Sequence, residues 1–342
     1  MAPTSKTLKS RSSPSKITFP GFVQVIREAY RLRGIPPESF ELFTNSISSA
    51  TLKQYSSALS RWWYFCGTHG CDFYNSSHSD IIKFLTVEFN KGVSFSYLNV
   101  IRSAISFVRG NDLVNNLEVK RLFKGIFRSR PPRRKYDSIW DPNVILQHLQ
   151  TLLPSEDLPL KDLSLKLVTL LALTTGHRIQ TLSKIKLSNI VFLDKQIEIR
   201  IPDEIKTSGL NRVQPNLILP FFSDKKLCAA YTLKVYISRT RSLRNSADSL
   251  FISFNKPHCA IHSTQTLSRW IKIVLSDSGV DVSLFKSHSI RHASTSAAFR
   301  SGVNIDSIRK SAGWSKSSET FANFYNLPLC ESNVFASSII NL

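Results

Sequence analysis

The segment Arg128-Ser-Arg-Pro-Pro-Arg-Arg-Lys135 divides this chain and constrains what can fold on either side of it. Pro131-Pro132 disfavours helix, both at the prolines and at the residue before them, so the segment runs extended. From Arg121 to Lys135 there are seven Lys/Arg and no acid. A concentrated charge of one sign suits a strap along phosphates, with a solvated linker as the alternative. Before the segment the pattern is helical and shows no strand-like alternation; after it, helical and strand patterns mix. The expected fold is α+β, mainly α. An all-helical N-terminal domain is followed by a mixed α/β domain with a small antiparallel sheet.

Within the first part, residues 1–18 are rich in Ser, Lys and Pro, with no acid before Glu28, and read as a basic tail. A short amphipathic helix over 22–33 closes at Gly34 and Pro36-Pro37. Ser49 is placed to cap a helix through Phe65, whose apolar residues Leu52, Tyr55, Leu59, Trp62 and Trp63 recur mostly three and four apart. Lys53 and Arg61 face outward from it. Further helices are expected over 79–89, 94–108 and 117–127. The expected divisions are a tail and short helix at 1–40, a helical domain at 41–127, the basic linker at 128–137 and a second domain at 138–342.

In that second domain, helices are expected over 141–153 and 161–174, the latter strongly apolar. Thr174-Thr-Gly-His-Arg178 breaks the second of these, and a helix resumes over 179–185. Strand signals cover 190–193, 196–201 and 216–221. Lys206 sits between the second and third, and Gly209 and Asn211 suit a hairpin turn. Residues 224–242 and 264–278 read as helices, and 289–312 as helix, turn, helix.

The charge balance names a class of partner. Forty-five Lys+Arg against 24 Asp+Glu leaves +21, which favours a polyanion, most simply nucleic acid. No apolar run reaches the roughly 18 residues of a membrane span. The N-terminal stretch carries no apolar segment of a secretory signal. Five cysteines, sparse and odd in number, suggest free thiols in a reducing compartment. Cys66, His69 and Cys71, and likewise His258, Cys259 and His262, are short of a suitably spaced ligand set, so no metal is expected.

The residues that carry chemistry lie late in the chain. Lys286-Ser-His288-Ser-Ile-Arg291-His292 is followed by Ala312-Gly313-Trp314 and by Phe324-Tyr325. His288 and Arg291, three apart, share a helix face and can reach one anionic group. Breaking a phosphodiester needs a nucleophile, an acid for the leaving oxygen and positive charge around phosphorus. A tyrosine can be that nucleophile, although ionising a phenol near pH 7 costs roughly 4 kcal/mol without help. Arginine suits the phosphate because its planar fork donates two hydrogen bonds.

In this order the residues resemble the active site of the tyrosine recombinases. Thr175-Gly-His-Arg178 matches the family's first Arg after a helix break, and Lys206 its hairpin Lys. His288-Ser-Ile-Arg291 matches His-x-x-Arg, Gly313-Trp314 the following Gly-His/Trp, and Tyr325 the nucleophile. The resemblance covers about residues 136–330. Gln180-Thr-Leu, Ile205-Lys-Thr-Ser and Gly313-Trp-Ser…Phe324-Tyr325-Asn resemble the eukaryotic DIRS, Ngaro and Crypton branch of mobile elements. The resemblance implies a SAM-like helical core-binding domain and a catalytic domain that form a clamp on double-stranded DNA. It also implies strand cleavage and rejoining through a 3′-phosphotyrosine, with no metal, ATP or other cofactor, and assembly as a dimer to tetramer on DNA; a nuclear location is inferred from that function and the basic charge. Arg178, Lys206, His288, Arg291, Trp314 and Tyr325 are the expected catalytic residues. Lys53, Arg61, Arg128, Arg130, Arg133, Arg134 and Lys135 are the expected DNA contacts. Thr181 stands where many members carry an acid, and the Trp-to-Tyr interval is about two residues longer than in many bacterial members. A domesticated, inactive recombinase and a helix-turn-helix regulator are the alternatives, and the ordered set of six favours the enzyme. Phe335, Ile339, Ile340 and Leu342 make the end of the chain apolar enough to dock on a neighbour or on its own core.

Overall fold

A computed structural model describes residues 18–330, apart from Asn111 and Asn211. The expectations for residues 1–17, for Asn211 and for Phe335, Ile339, Ile340 and Leu342 therefore lie outside the described residues. The chain divides into two compact units, residues 1–133 and 134–342.

The first unit is helical: α1 (Phe22–Leu32), α2 (Phe40–Asn45), α3 (Ser49–His69), α4 (His78–Asn90), α5 (Phe95–Arg109) and α6 (Leu117–Ser129). Its helix starts are written in capping residues. Ser77 and Asp80 form a reciprocal capping box on α4, and Ser94 and Asn116 cap α5 and α6. The cap of α3 is Ser48 and not Ser49, since the Ser48 side chain accepts the Thr51 N–H at 3.3 Å. The helix α2 was hidden behind Pro36-Pro37; it forms because Phe40 and Phe43 pack on Tyr30, each with ring centroids 5.5 Å away. Leu59 and Trp62 are fully buried, and the Trp62 N–H donates to the Phe73 carbonyl at 3.1 Å.

In the second unit, α7 (Pro142–Thr151) leads to α8 (Leu160–Thr175), in which every residue from Leu163 to Ala172 is buried. A helix apolar on all sides belongs at the centre of its domain, and α8 is packed by α10 (Ala229–Thr240), α11 (Thr264–Asp277) and α12 (Ser289–Arg300). The one cation in that run, Lys166, donates to the Leu152 carbonyl at 2.7 Å and to Ser155 Oγ at 3.3 Å. After the break, α9 (Ile179–Leu182) is shorter than its sequence pattern suggested. The strands β1 (Ile190–Phe192), β2 (Gln196–Arg200) and β3 (Asn216–Pro220) form one antiparallel sheet in that order. Ile197 pairs with Leu219 and Ile199 with Leu217, and all four are buried. Beyond α13 (Ile305–Ser311), Phe321–Tyr325 forms a π-helical turn, a rare irregularity that is frequent at functional sites. Among the described residues no helix is long and apolar enough to cross a membrane.

Candidate active site

Four separated segments of the second unit meet, and two glycines permit it. Gly176 ends α8 with φ 60°, a left-handed conformation that glycine adopts without steric cost. Its carbonyl accepts a hydrogen bond from Arg291 Nη1 at 2.9 Å. Gly313, with φ 66°, lies so close to His177 that a Cβ there would stand 3.1 Å from His177 Cε1. The helix break at 174–178, the His-x-x-Arg segment and the Gly-Trp segment are thus packed on one another.

Arg291 is 1% exposed, and only Nη1 has an acceptor; Nε and Nη2 have none among the described residues. Its guanidinium lies 4.4 Å above the Trp314 ring and 5.5 Å from the centre of the Tyr325 ring. Trp314 Nε1 is likewise buried without an acceptor. Burial, and then repulsion from Arg178, pushes the Arg291 pKa down to about 10, with Tyr325 acting the other way. Arg178, the residue before α9, is half-buried, and burial holds it below the usual guanidinium range.

His288 is the residue before α12, and its Nε2 is 2.9 Å from Tyr325 Oη. Burial lowers the His288 pKa to about 4, reinforced by Arg291, Arg178, Lys135 and Lys206 in that order. Among the described residues, every charged neighbour that acts on His288 is a cation. Tyr325 is buried between His292, stacked on it at 3.9 Å and 8°, and Trp314, set edge-on at 4.8 Å and 66°. His177 and His292 are buried too and held down to about 4 and about 3, chiefly by burial. Sequence reasoning found no task for either; the contacts that define them join residues far apart in the chain.

Lys206 is exposed on the long β2–β3 connection. Its backbone N–H donates to Gln180 Oε1 at 3.2 Å, which ties the connection to α9. The Gly209 carbonyl accepts the Arg212 N–H at 3.1 Å, making the turn there. Thr181 is buried, and its N–H bonds the Arg178 carbonyl at 2.8 Å.

The other basic candidates sort into two kinds. Lys53, Arg128 and Arg133 on the first unit, and Arg134 and Lys135 on the second, are exposed. Arg61 and Arg130 are occupied within the first unit. Arg61 pairs with the buried Glu88 at 2.7 Å. Arg130 is a structural strut: it donates to the Phe89 and Val93 carbonyls at 2.9 and 2.7 Å, with its guanidinium 4.1 Å over the Phe89 ring. Among the described residues no group of three or more His, Cys, Asp or Glu could hold a metal.

Residues 143–328, more than half of the chain, match the Phage integrase family. This chain belongs to that family. All six residues of the motif described above lie within the matched region. Several phage-integrase-type recombinases have the same fold. The XerH site-specific recombinase, in a pre-cleavage complex with its difH substrate, aligns over 94% of this chain and 95% of its own, with TM-score 0.58 and 14% identity. The Tn1549 transposon integrase, in complex with transposon right end DNA, aligns over 94% and 100%, with TM-score 0.55 and 14% identity. A lambda integrase dimer bound to a core site aligns over 89% and 96%, with TM-score 0.51 and 17% identity. No curated protein sequence matches this chain.

Proposed function

We propose that this protein cleaves and rejoins double-stranded DNA at a defined site through a covalent 3′-phosphotyrosine. The observation that carries this reading is a cationic site with unused donors beside a tyrosine hydroxyl. Among the described residues, Arg291 Nε and Nη2 and Trp314 Nε1 are buried without acceptors, and no acid acts on Arg291 or Arg178. Buried donors of this kind cost free energy unless an acceptor is supplied. A phosphodiester supplies one, and in that reading Arg178 and Arg291 hold its non-bridging oxygens while Trp314 donates a further hydrogen bond.

The steps follow from the neighbours of Tyr325. His288, neutral because its pKa lies near 4, accepts the phenol proton on Nε2 as Tyr325 Oη attacks phosphorus. The bond to the 5′ oxygen breaks, and Lys206, on its exposed connection, gives that oxygen its proton. A 5′-OH from a second strand then attacks the phosphotyrosine and gives its proton to Lys206, the phenolate leaves and takes its proton back from His288, and the bond energy is conserved without a cofactor. The exposed cations Lys53, Arg128, Arg133, Arg134 and Lys135 supply backbone contacts. Exchange between two duplexes calls for a dimer to tetramer on DNA, acting in the nucleus. The Gln180, Lys206 and Trp314 sequence contexts support a mobile-element enzyme of the DIRS, Ngaro or Crypton kind.

Thr181 supports a second reading, a family member that binds DNA without cutting, because a threonine sits where many relatives have an acid. The helix-turn-helix regulator is less well supported: α12 is buried over most of its first two turns, so it is a core element. The deciding experiment incubates the protein with supercoiled plasmid, quenches with SDS and follows relaxation and protein-linked DNA beside Tyr325→Phe. Relaxation and adduct in the native protein only are expected. Adduct surviving in Tyr325→Phe would remove the nucleophile. Salt-sensitive binding with no adduct from either protein would favour the second reading.

A further inference from the structure

Several contacts to the tyrosine segment come from residues spaced four apart, beginning at His288 just before α12 and continuing along it. His288 Nε2 meets Tyr325 Oη at 2.9 Å. One turn on, the His292 ring stacks on the Tyr325 ring at 3.9 Å. Another turn on, Ser296 Oγ donates to the Tyr325 carbonyl and accepts the Leu327 N–H at 3.3 Å. A last turn on, Arg300 Nη1 donates to the Leu327 carbonyl at 3.0 Å. Residues at i, i+4, i+8 and i+12 form one ridge along a helix, inclined to its axis. A chain laid along that ridge meets each side chain in turn. Here the order runs from hydroxyl to ring to backbone, from the N-terminal end of α12 to its C-terminal end.

We propose that His292, Ser296 and Arg300 are positioning residues that form a rack along α12 and fix the ring and backbone of Tyr325–Leu327 for attack. This rests on the reading of Tyr325 as nucleophile. The need for such a rack is local. Tyr325 closes a five-residue π-helical turn, so no regular helix continues beneath it to set its backbone. The next anchor beyond the rack is the pairing of Ile139 with Leu329, in which the Ile139 N–H reaches the Pro328 carbonyl at 2.8 Å. Between the turn and that anchor, Ser296 and Arg300 supply the side-chain hydrogen bonds to the backbone. A ring face at 3.9 Å and 8° restrains rotation of the phenol plane and leaves the hydroxyl on the His288 side. Proximity of this kind matters because a displacement of about 1 Å at a reacting group can cost about a hundredfold in rate.

The test uses the full chain in two assays. Amide hydrogen exchange is read at Leu327, and SDS-trapped adduct formation is followed on supercoiled plasmid at increasing DNA concentration. Arg300 is exposed, so Arg300→Ala probes the rack without opening the core, and His292→Ala and His292→Phe probe the stack. Expected is about tenfold faster exchange at Leu327 in Arg300→Ala and His292→Ala, with α8 amides unchanged. Expected too is about tenfold slower adduct formation at saturating DNA, with half-saturation unmoved, and recovery of most of that rate in His292→Phe, which restores a flat ring. Unchanged Leu327 exchange in both alanine variants would overturn the rack. So would a loss confined to half-saturation, or His292→Phe as slow as His292→Ala. If the native protein forms no adduct, the nucleophile reading fails, and the exchange assay alone decides whether the rack exists.

Discussion

At Arg291, charge and shape can be separated. One of its nitrogens serves the Gly176 carbonyl and the other two have no acceptor among the described residues. Lysine keeps the charge but cannot make a fixed fork of donors. Arg291→Lys should therefore slow adduct formation by about 10²–10³ while DNA affinity stays within about threefold, measured by single-turnover trapping beside a binding titration. Near-native trapping by the lysine variant would show that charge alone suffices. At Gly176 the requirement is conformational. Its φ is 60°, and an alanine Cβ there would stand 3.5 Å from Thr295 Cγ2. Gly176→Ala should therefore destabilise the second unit by about 1–2 kcal/mol, read as a shifted urea midpoint. The six ordered residues could be proposed from the sequence because each sits in a short local motif. His177 and His292 could not, because their partners, Gly313 and Tyr325, are 136 and 33 positions away and only packing joins them.

Elements were legible where local chemistry sets them. Caps at Ser77, Ser94 and Asn116 mark helix starts, and the apolar run of α8 marks a buried helix. The pattern failed at α2, whose six residues are held by rings on Tyr30, a tertiary cause. It also failed in the basic segment, where composition treats all arginines alike. Arg130 closes α6 and bonds two carbonyls, whereas Arg133 and Arg134 are exposed. Their variants should separate. Arg130→Ala should lower the stability of the first unit by about 1–3 kcal/mol. Arg133→Ala and Arg134→Ala should leave stability alone and each reduce the slope of log affinity against log salt by about 0.9. Urea unfolding and salt titrations of the three variants check both halves. A salt slope reduced by Arg130→Ala with stability intact would return that residue to the DNA-contacting set.

For the molecule as a whole, the burial of three histidines beside cations has a consequence for stability. His177 and His288 are pushed down to about 4 and His292 to about 3, chiefly by burial and then by neighbouring cations or, for His292, by His288. In the unfolded chain each titrates near 6.5. Below that value the unfolded state takes up protons that the folded state refuses, so stability is full above about pH 6.5 and falls as pH falls towards 4. Each histidine contributes a slope of about 1.4 kcal/mol per pH unit in that window. The lowered carboxylates Asp80, Glu88 and Asp248 act the same way, but only below their ordinary values near 4. Between pH 6.5 and 5 the histidines therefore act first, and all three lie in the second unit. Thermal unfolding of that unit should lose midpoint steadily across this interval and stay level from pH 6.5 to 8. His292→Phe, which removes one of the three groups, should flatten the loss by about a third. A midpoint level down to pH 5 would mean that these histidines take up protons in the folded protein. The neutral His288 that the cleavage step requires would then be confined to higher pH.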